Sequence, residues 1–195
     1  MVAVDIKATN AAYYVANCHK WLCAPKSSAI LCVHPDRLDR VHPLAISLGY
    51  EGLEVDKSRF HREFDWMGTR DPTPVLSIPT ALELVGGLVA GGWPEIRRKN
   101  RELALESRAL LCRSLQVEPP APDEMIGSMF TVPLKSGEGL HDRLLDDYGI
   151  EVPIQRWGAP DRWLLRVSTF LYNRVDEVLR LADALAELGI ASGPR

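Results

Sequence analysis

The chemistry in this chain centres on a lysine between two β-prone segments. Lys20 follows His19 and precedes Trp21. A lysine amine that is taken out of water can lose its proton and attack an aldehyde. The alternative is an exposed lysine whose stem lies along an apolar surface, and the residue types alone leave both open. The surrounding sequence therefore has to decide between them.

Two short β-prone segments flank Lys20. Residues 13–16 and 28–33 are rich in tyrosine, valine and isoleucine, and the loop between them contains Pro25 and Lys26. This pattern predicts a β-hairpin that carries Lys20 at its bend.

The lysine segment resembles that of a known family. Residues 17–22 read Asn-Cys-His-Lys-Trp-Leu, and residues 24–26 read Ala-Pro-Lys. This is similar to the cofactor-lysine segment of class V aminotransferases, which are fold-type-I, pyridoxal-phosphate (PLP) enzymes that include cysteine desulfurases. The isopenicillin N epimerase-like group is the closest. The resemblance implies an α/β fold, PLP as cofactor, an amino acid as substrate and a Schiff base at Lys20.

Further site residues follow from the same resemblance. Asn17 and His19 correspond to polar residues that hold the cofactor phosphate. Gly68 and Thr69 look like the pair that reaches across a homodimer interface to the partner's phosphate. Without the resemblance, His19 reads as a histidine bonded to a backbone carbonyl, and Gly68-Thr69 as an ordinary turn.

An arginine near the end of the chain completes the implied site. Arg166 lies in Leu-Arg-Val-Ser, with Tyr172-Asn173 following, which is similar to the family's ending, where the arginine binds the substrate carboxylate. A guanidinium can hold a carboxylate through two parallel hydrogen bonds. The alternatives are a solvated strand arginine or a structural salt bridge.

Three parts of the family's cofactor site are expected to be absent from these residues. The aspartate that pairs with the pyridine nitrogen, the stacking aromatic residue and the first phosphate loop precede the lysine by more than the nineteen residues present here, and Asp5 is too near Lys20. The resemblance thus implies the C-terminal part of a family member, as a truncated chain or one piece of a split enzyme, with impaired activity by itself. The competing hypothesis is a non-catalytic homologue that serves as a dimerisation or interaction module, or has no function.

The chain order predicts three segments. Residues 1–76 are expected to be the end of the large PLP-binding domain, 77–116 connecting helices, and 117–195 a small α/β domain. Residues 34–74 look irregular, whereas Pro94 suits the first turn of a helix with Ile96, Leu103 and Leu110 on one face. Strands are predicted at residues 129–132, 150–154 and 163–168, a helix ending at Gly149 between the first two, and a turn at 158–161.

Composition limits the class of function. The net charge is −3, with 46% hydrophobic and 25% charged residues, which is typical of a soluble protein without a general attraction to nucleic acid or anionic membranes. The four cysteines form no C-x-x-C pair and the five histidines are scattered, so we expect no metal site and a reducing compartment, the cytoplasm. Desulfuration through a loop cysteine is disfavoured because Cys112 falls in a predicted helix.

Overall fold

The computed structural model describes residues 1–52, 56–159 and 162–190. The chain forms two compact units. The N-terminal unit is Val4–Leu88, and the C-terminal unit is Val89–Arg195 together with Met1–Ala3. Helices alternate with antiparallel strands, which confirms the predicted α/β class.

The N-terminal unit contains one β-hairpin and four short helices. The hairpin is antiparallel, with Tyr13 opposite Val33 and Asn17 opposite Ala29, as the sequence predicts. Two 3-10 helices follow the hairpin. The elements are α1 (Ile6–Thr9), β1 (Tyr13–Asn17), β2 (Ala29–Val33), the 3-10 helices Pro35–Arg40 and Leu48–Glu51, α2 (Arg59–Asp65), α3 (Thr73–Leu76) and α4 (Ile78–Gly86).

The prediction that residues 34–74 are irregular is wrong for α2. Ser58 caps this helix, because its hydroxyl oxygen accepts a hydrogen bond from the backbone N–H of His61 at 3.3 Å. Phe60 and Phe64 lie one turn apart, with ring centroids separated by 4.6 Å. The signal in the sequence was therefore the serine cap and this phenylalanine pair, which the surrounding glycines and prolines obscured.

A buried carboxylate fastens α2 to the preceding segment. The Glu63 side chain is 3% exposed, and its Oε2 lies 2.6 Å from His42 Nδ1 and 2.9 Å from Arg59 Nη1. Arg59 also donates to the backbone oxygens of Leu38 and Val41. Burial by itself would raise the pKa of Glu63, but the hydrogen bonds from Arg59 and His42 outweigh it and hold the pKa below its ordinary value.

In its described residues, the C-terminal unit has a three-stranded antiparallel sheet, three α-helices and the 3-10 helix Asp123–Met125. The strand order is β3-β5-β4, so β5 lies in the centre. As predicted, Pro94 lies in the first turn of a helix and Gly149 caps another in the left-handed conformation, with φ of 64°. The elements are α5 (Gly92–Leu115), β3 (Met129–Leu134), α6 (Leu140–Tyr148), β4 (Ile154–Arg156), β5 (Trp163–Ser168) and α7 (Val175–Glu187).

The predicted strand at residues 150–154 is shorter than expected. The backbone N–H of Ile150 donates to the Leu144 oxygen at 2.9 Å, so this residue completes the end of α6. Strand β4 therefore begins only at Ile154. The predicted turn at 158–161 lies partly outside the described residues, and the assignment of residues 1–76, 77–116 and 117–195 to separate domains stays a prediction.

The buried face of α5 differs from the prediction. Ile96 is fully buried as expected, but Leu103 and Leu110 are only half-buried, while Ala104 and Leu111 are completely inside. The prediction placed the largest apolar residues inward. The observed buried face is instead rotated about the helix axis by one residue, because a small alanine at 104 allows close packing. This helix packs against α7 and β3 over a continuous apolar core.

The described residues contain neither a candidate membrane-spanning helix nor a candidate metal cluster. None of the helices there combines the length and the apolar composition needed to cross a membrane. Within the same residues, no three histidine, cysteine, aspartate or glutamate side chains are grouped closely enough to hold a metal ion.

Candidate functional site

Lys20 lies in the loop of residues 18–28 that joins β1 to β2. Its backbone oxygen accepts a hydrogen bond from the Cys23 N–H at 3.0 Å, which closes a tight turn. The Lys20 side chain is exposed, and among the described residues nothing bonds to its amine. The structure thus shows the exposed lysine of the alternative interpretation, with an amine that is accessible to a small molecule.

The base of this loop is held by buried contacts. Cys18 donates its backbone N–H to the Ser28 oxygen at 2.9 Å, and Ala24 donates to the Cys18 oxygen at 3.1 Å. The Ser28 hydroxyl, in a fully buried residue, donates to the Pro25 oxygen at 2.7 Å. Cys18 and Ala24 pack with Ala81 of α4, and burial raises the pKa of the Cys18 thiol. The loop is thus fixed at its base while Lys20 remains accessible.

Two residues of the loop have left-handed backbone conformations. Cys23 has φ of 58° and Ser27 has φ of 71°. The other described non-glycine residues with positive φ, Asn10 and Gln116, are helix C-caps, where this conformation is common. A non-glycine residue in this region is otherwise uncommon and costs about 1 kcal/mol. Such strain is typical of functional loops.

His19 forms a hydrogen bond with a backbone carbonyl, as expected for a structural histidine. Its Nδ1 lies 3.1 Å from the Ser28 backbone oxygen, which can only accept, so Nδ1 carries the proton. This tautomer leaves Nε2 as the second polar atom of a half-buried ring. A structural bond and a ligand contact are therefore compatible, because they use different nitrogens.

Asn17 and the Gly68-Thr69 pair are exposed or half-exposed. Asn17 is the last residue of β1. Gly68 has φ of 113°, which favours glycine, and the Ser47 hydroxyl oxygen lies 4.0 Å from where a Cβ would be. The Thr69 hydroxyl makes no hydrogen bond with a described residue.

A hydrogen-bonded turn fixes the chain just after Thr69. The Asp71 carboxylate accepts from the backbone N–H of Thr73 at 2.9 Å and from its hydroxyl at 2.7 Å. These bonds hold the pKa of Asp71 below its ordinary value. Gly68 and Thr69 are therefore presented from an ordered turn that leads into α3.

Arg166 lies at the middle of the C-terminal sheet. It is opposite Thr131 on β3, and its backbone N–H donates to the Pro153 oxygen at 3.0 Å. The side chain is half-buried, its Nε is fully buried, and no described residue bonds to that nitrogen. The structural salt bridge that was the alternative is not formed with any described residue. A buried N–H without a partner is costly, which favours a ligand as the missing acceptor.

A cleft of about 310 Å³ surrounds Arg166. The hydroxyl of Thr169 fixes the end of β5, because it donates to the Asn100 backbone oxygen at 2.8 Å. Asn173 orders the following turn by accepting from the Phe170 N–H at 2.9 Å. Sequence patterns did not single out Ser28 or Thr169, since single hydroxyl residues at strand ends are common.

The predicted site residues fall into two groups. Asn17, His19 and Lys20 share one loop region, and Gly68-Thr69 belongs to the same N-terminal unit. Arg166 belongs to the C-terminal unit. Cys112 lies within α5 and is buried, as predicted, whereas Cys23 beside the lysine turn is exposed.

Comparison with known proteins supports the resemblance. The chain is 36% identical to isopenicillin N epimerase of Amycolatopsis lactamdurans over 199 residues, covering 95% of this chain and 49% of that protein. It is 30% identical to a probable chloroplastic L-cysteine desulfhydrase of Arabidopsis thaliana, covering 94% of this chain and 41% of the relative. The chain thus spans about half the length of the curated relatives it matches. No family model matches it.

The fold agrees with these relatives. The 8-amino-7-oxononanoate synthase of Francisella tularensis superposes with a TM-score of 0.58 at 13% identity, covering 90% of this chain and 44% of that one. The fold is that of the fold-type-I, PLP-dependent enzymes. Within that class the chain is similar to the C-terminal part of isopenicillin N epimerase and of L-cysteine desulfhydrase, in agreement with the resemblance of its motifs to class V aminotransferases.

Proposed function

We propose that this chain carries the cofactor lysine and the substrate-carboxylate arginine of a PLP-dependent enzyme that acts on an amino acid. The observation that carries this proposal is the accessible amine of Lys20, to which no described residue bonds, on a loop with a buried base and two left-handed residues. PLP, when bound, supplies the electron sink that makes the bonds at an amino acid Cα reactive. The residues of this chain supply the attachment, the orientation and the proton transfer.

Each residue has a distinct role in this proposal. Lys20 binds the cofactor covalently and, once released, moves the proton at the substrate Cα. Asn17 and His19 hold the cofactor phosphate, with the His19 ring anchored through Nδ1 and facing the phosphate through Nε2. Gly68 and Thr69 serve the partner's phosphate in a homodimer.

Arg166 orients the substrate in this proposal. Its buried, unpartnered Nε in a small cleft suits a carboxylate, which would satisfy the guanidinium through two hydrogen bonds. Protonation of Cα on the face opposite to the one that lost the proton would give epimerisation, whereas protonation of the cofactor would lead to transamination. The relative named as an epimerase makes epimerisation the first reaction to assay.

The relatives are about twice as long as this chain, so activity is proposed for the combined halves. By the resemblance, the aspartate for the pyridine nitrogen is not among these 195 residues. We expect the chain alone to bind the cofactor and to show little or no turnover of amino acids. The proposed location is the cytoplasm, on the sequence grounds given above.

The test of the lysine is chemical trapping. The chain is mixed with PLP, reduced with borohydride, and the pyridoxyl adducts are mapped by peptide mass spectrometry. We expect Lys20 to be labelled at least tenfold more than Lys26, which is also exposed in the same loop, and Lys20→Ala to abolish the selectivity. Equal labelling of the two lysines would contradict the proposal and favour the non-catalytic interaction module.

The arginine is tested separately. Adding an amino acid to ¹⁵N-labelled chain should shift the Arg166 Nε–H resonance, which Arg166→Lys removes and thereby assigns. Arg156, on the neighbouring strand and stacked over Trp163 at 4.8 Å, serves as the reference arginine. An unchanged Arg166 signal at saturating amino acid would contradict a carboxylate-binding role.

A further inference from the structure

A second cleft lies within the N-terminal unit, and none of the residues proposed to hold the cofactor lines it. Its volume is about 540 Å³, which is within the range of small-molecule sites. Its walls come from the end of the lysine loop, β2, α2, α3 and the segment between the two helices. The residues are Ser27, Ala29, Leu31, Phe60, His61, Phe64, Asp65, Trp66, Met67, Arg70, Pro72, Val75 and Leu76.

The walls of this cleft are mainly apolar and aromatic. Phe60 and Phe64 form a tilted pair on α2. Trp66 is 47% exposed, and Val75 and Leu76 are 41% and 70% exposed, so apolar surface faces open space. An aryl or branched alkyl group would remove this surface from water, at about 25 cal/mol for each Å² buried.

Arg70 is the uncompensated charge of the cleft. It is exposed, and no described residue pairs with its guanidinium. The carboxylate of the lining, Asp65, already has a cationic neighbour, because it lies 3.6 Å from the amine of Lys57. The adjacent Asp71 is held by Thr73. An unpaired arginine at an apolar cleft favours a ligand with one carboxylate.

We propose that this cleft binds a small molecule with an apolar, aryl or branched alkyl body and a single carboxylate. The body lies against Phe60, Phe64 and Trp66, and the carboxylate pairs with Arg70. Ser27 brings one end of the cleft to the loop that carries Lys20, so the ligand lies beside that loop. This site goes beyond the proposed function, since it requires no reaction at Lys20.

The experiment compares three probes that share a phenyl group and a four-carbon chain and differ in their polar end group, which is anionic, neutral or cationic. The full chain is titrated with 4-phenylbutyrate, 4-phenylbutan-1-ol and 4-phenylbutylamine by calorimetry, at one pH and ionic strength. The acid is expected to bind at least tenfold more tightly than the alcohol, and the amine more weakly than both. Equal binding of acid and alcohol would mean apolar adsorption only and would overturn the proposal, as would no measurable binding of the acid.

Two pairs of variants test whether the probe binds in this cleft. Arg70→Gln should reduce the affinity for the acid to that for the alcohol, whereas Arg40→Gln, an exposed arginine of the same unit, should leave it unchanged. Val75→Trp should fill the cleft and weaken all probes at least tenfold, whereas Leu84→Trp, 66% exposed on α4 outside the cleft, should not. Circular dichroism checks that each variant folds. Folded Arg70→Gln or Val75→Trp with wild-type affinity would overturn the proposal.

Discussion

The two compact units of this chain are stabilised in different ways. The C-terminal unit contains a cluster of seventeen buried apolar residues, whereas the corresponding cluster of the N-terminal unit is Cys18, Ala24 and Ala81, with Leu22 and Ile78 against it. Of the large apolar side chains that are exposed in the described residues, fourteen of twenty-one belong to the N-terminal unit. The N-terminal unit therefore gains much less from burial of apolar surface.

Polar contacts replace part of that missing core. The Glu63 carboxylate holds α2 to residues 38–42, and Ser28 holds the base of the lysine loop. The unit that carries Lys20 is thus fixed by a few directed bonds, while the unit that carries Arg166 is fixed by packing. Exposed apolar surface of this extent is typical of ligand-binding grooves and of surfaces that another protein chain covers. The difference predicts distinct responses to substitution.

The largest difference is expected for matched leucine substitutions. Leu165 is fully buried in the central strand of the C-terminal sheet, so Leu165→Ala should cost about 4 kcal/mol of unfolding free energy. Leu22 is half-buried against the small cluster, and Leu22→Ala should cost about 1 kcal/mol. Urea denaturation followed by far-ultraviolet circular dichroism measures both. Equal costs would show that the N-terminal unit has a larger effective core than its packing indicates.

The buried carboxylate should matter more than an exposed one. Glu63→Gln leaves Arg59 and His42 without their charged acceptor and should cost about 2 kcal/mol. The effect should be local, with faster hydrogen exchange in residues 35–42. Glu83→Gln, on the exposed face of α4, is the matched control and should change neither quantity measurably. Unchanged exchange in Glu63→Gln would contradict the role of this bond.

The same group should make the N-terminal unit sensitive to acid. Because its folded-state pKa lies below the ordinary glutamate value of about 4.3, Glu63 stabilises the fold fully above that pH. This contribution should decline as the pH falls below about 4.3 and be lost below the folded-state pKa. Denaturation at a series of pH values should show the wild-type and Glu63→Gln curves converging in acid. A constant separation would rule out the linkage.

The sequence predicted the elements whose patterns are local. The hairpin, the start of α5 at Pro94 and the end of α6 at Gly149 depend on β-propensity, proline and glycine, which act within a few residues. Helix α2 was missed because glycines and prolines obscured its local signals, and because one of the contacts that hold it, Glu63 with His42, joins residues 21 positions apart. Long-range polar contacts leave no periodicity in the sequence.

The candidate site shows the same limit. The residue types around Lys20 carried the resemblance, and the comparisons support that family. The hydrogen bonds that hold the base of the lysine loop were not predictable, because only the folded structure shows that Ser28 is buried and donates to the Pro25 oxygen. The unpaired Nε of Arg166 likewise depends on which neighbours the fold brings near. Roles assigned to these residues stay predictions until they are tested.

The smallest expected effect concerns the left-handed residues of the lysine loop. Cys23→Gly and Ser27→Gly should each relieve up to about 1 kcal/mol of backbone strain, partly offset by the greater freedom of glycine in the unfolded chain. Asn10→Gly and Gln116→Gly make the same change at helix C-caps and should alter stability similarly.

Pyridoxyl labelling of Lys20 should distinguish the loop variants from the helix-cap variants. If strain in the loop presents Lys20, the loop variants should lower the selectivity of its pyridoxyl labelling over Lys26 severalfold, and the cap variants should leave it unchanged. Urea denaturation and peptide mass spectrometry on the same samples measure both properties. If Ser27→Gly and Cys23→Gly keep full selectivity, the left-handed residues do not help to present the amine. The buried contacts of Ser28 would then suffice to hold the loop.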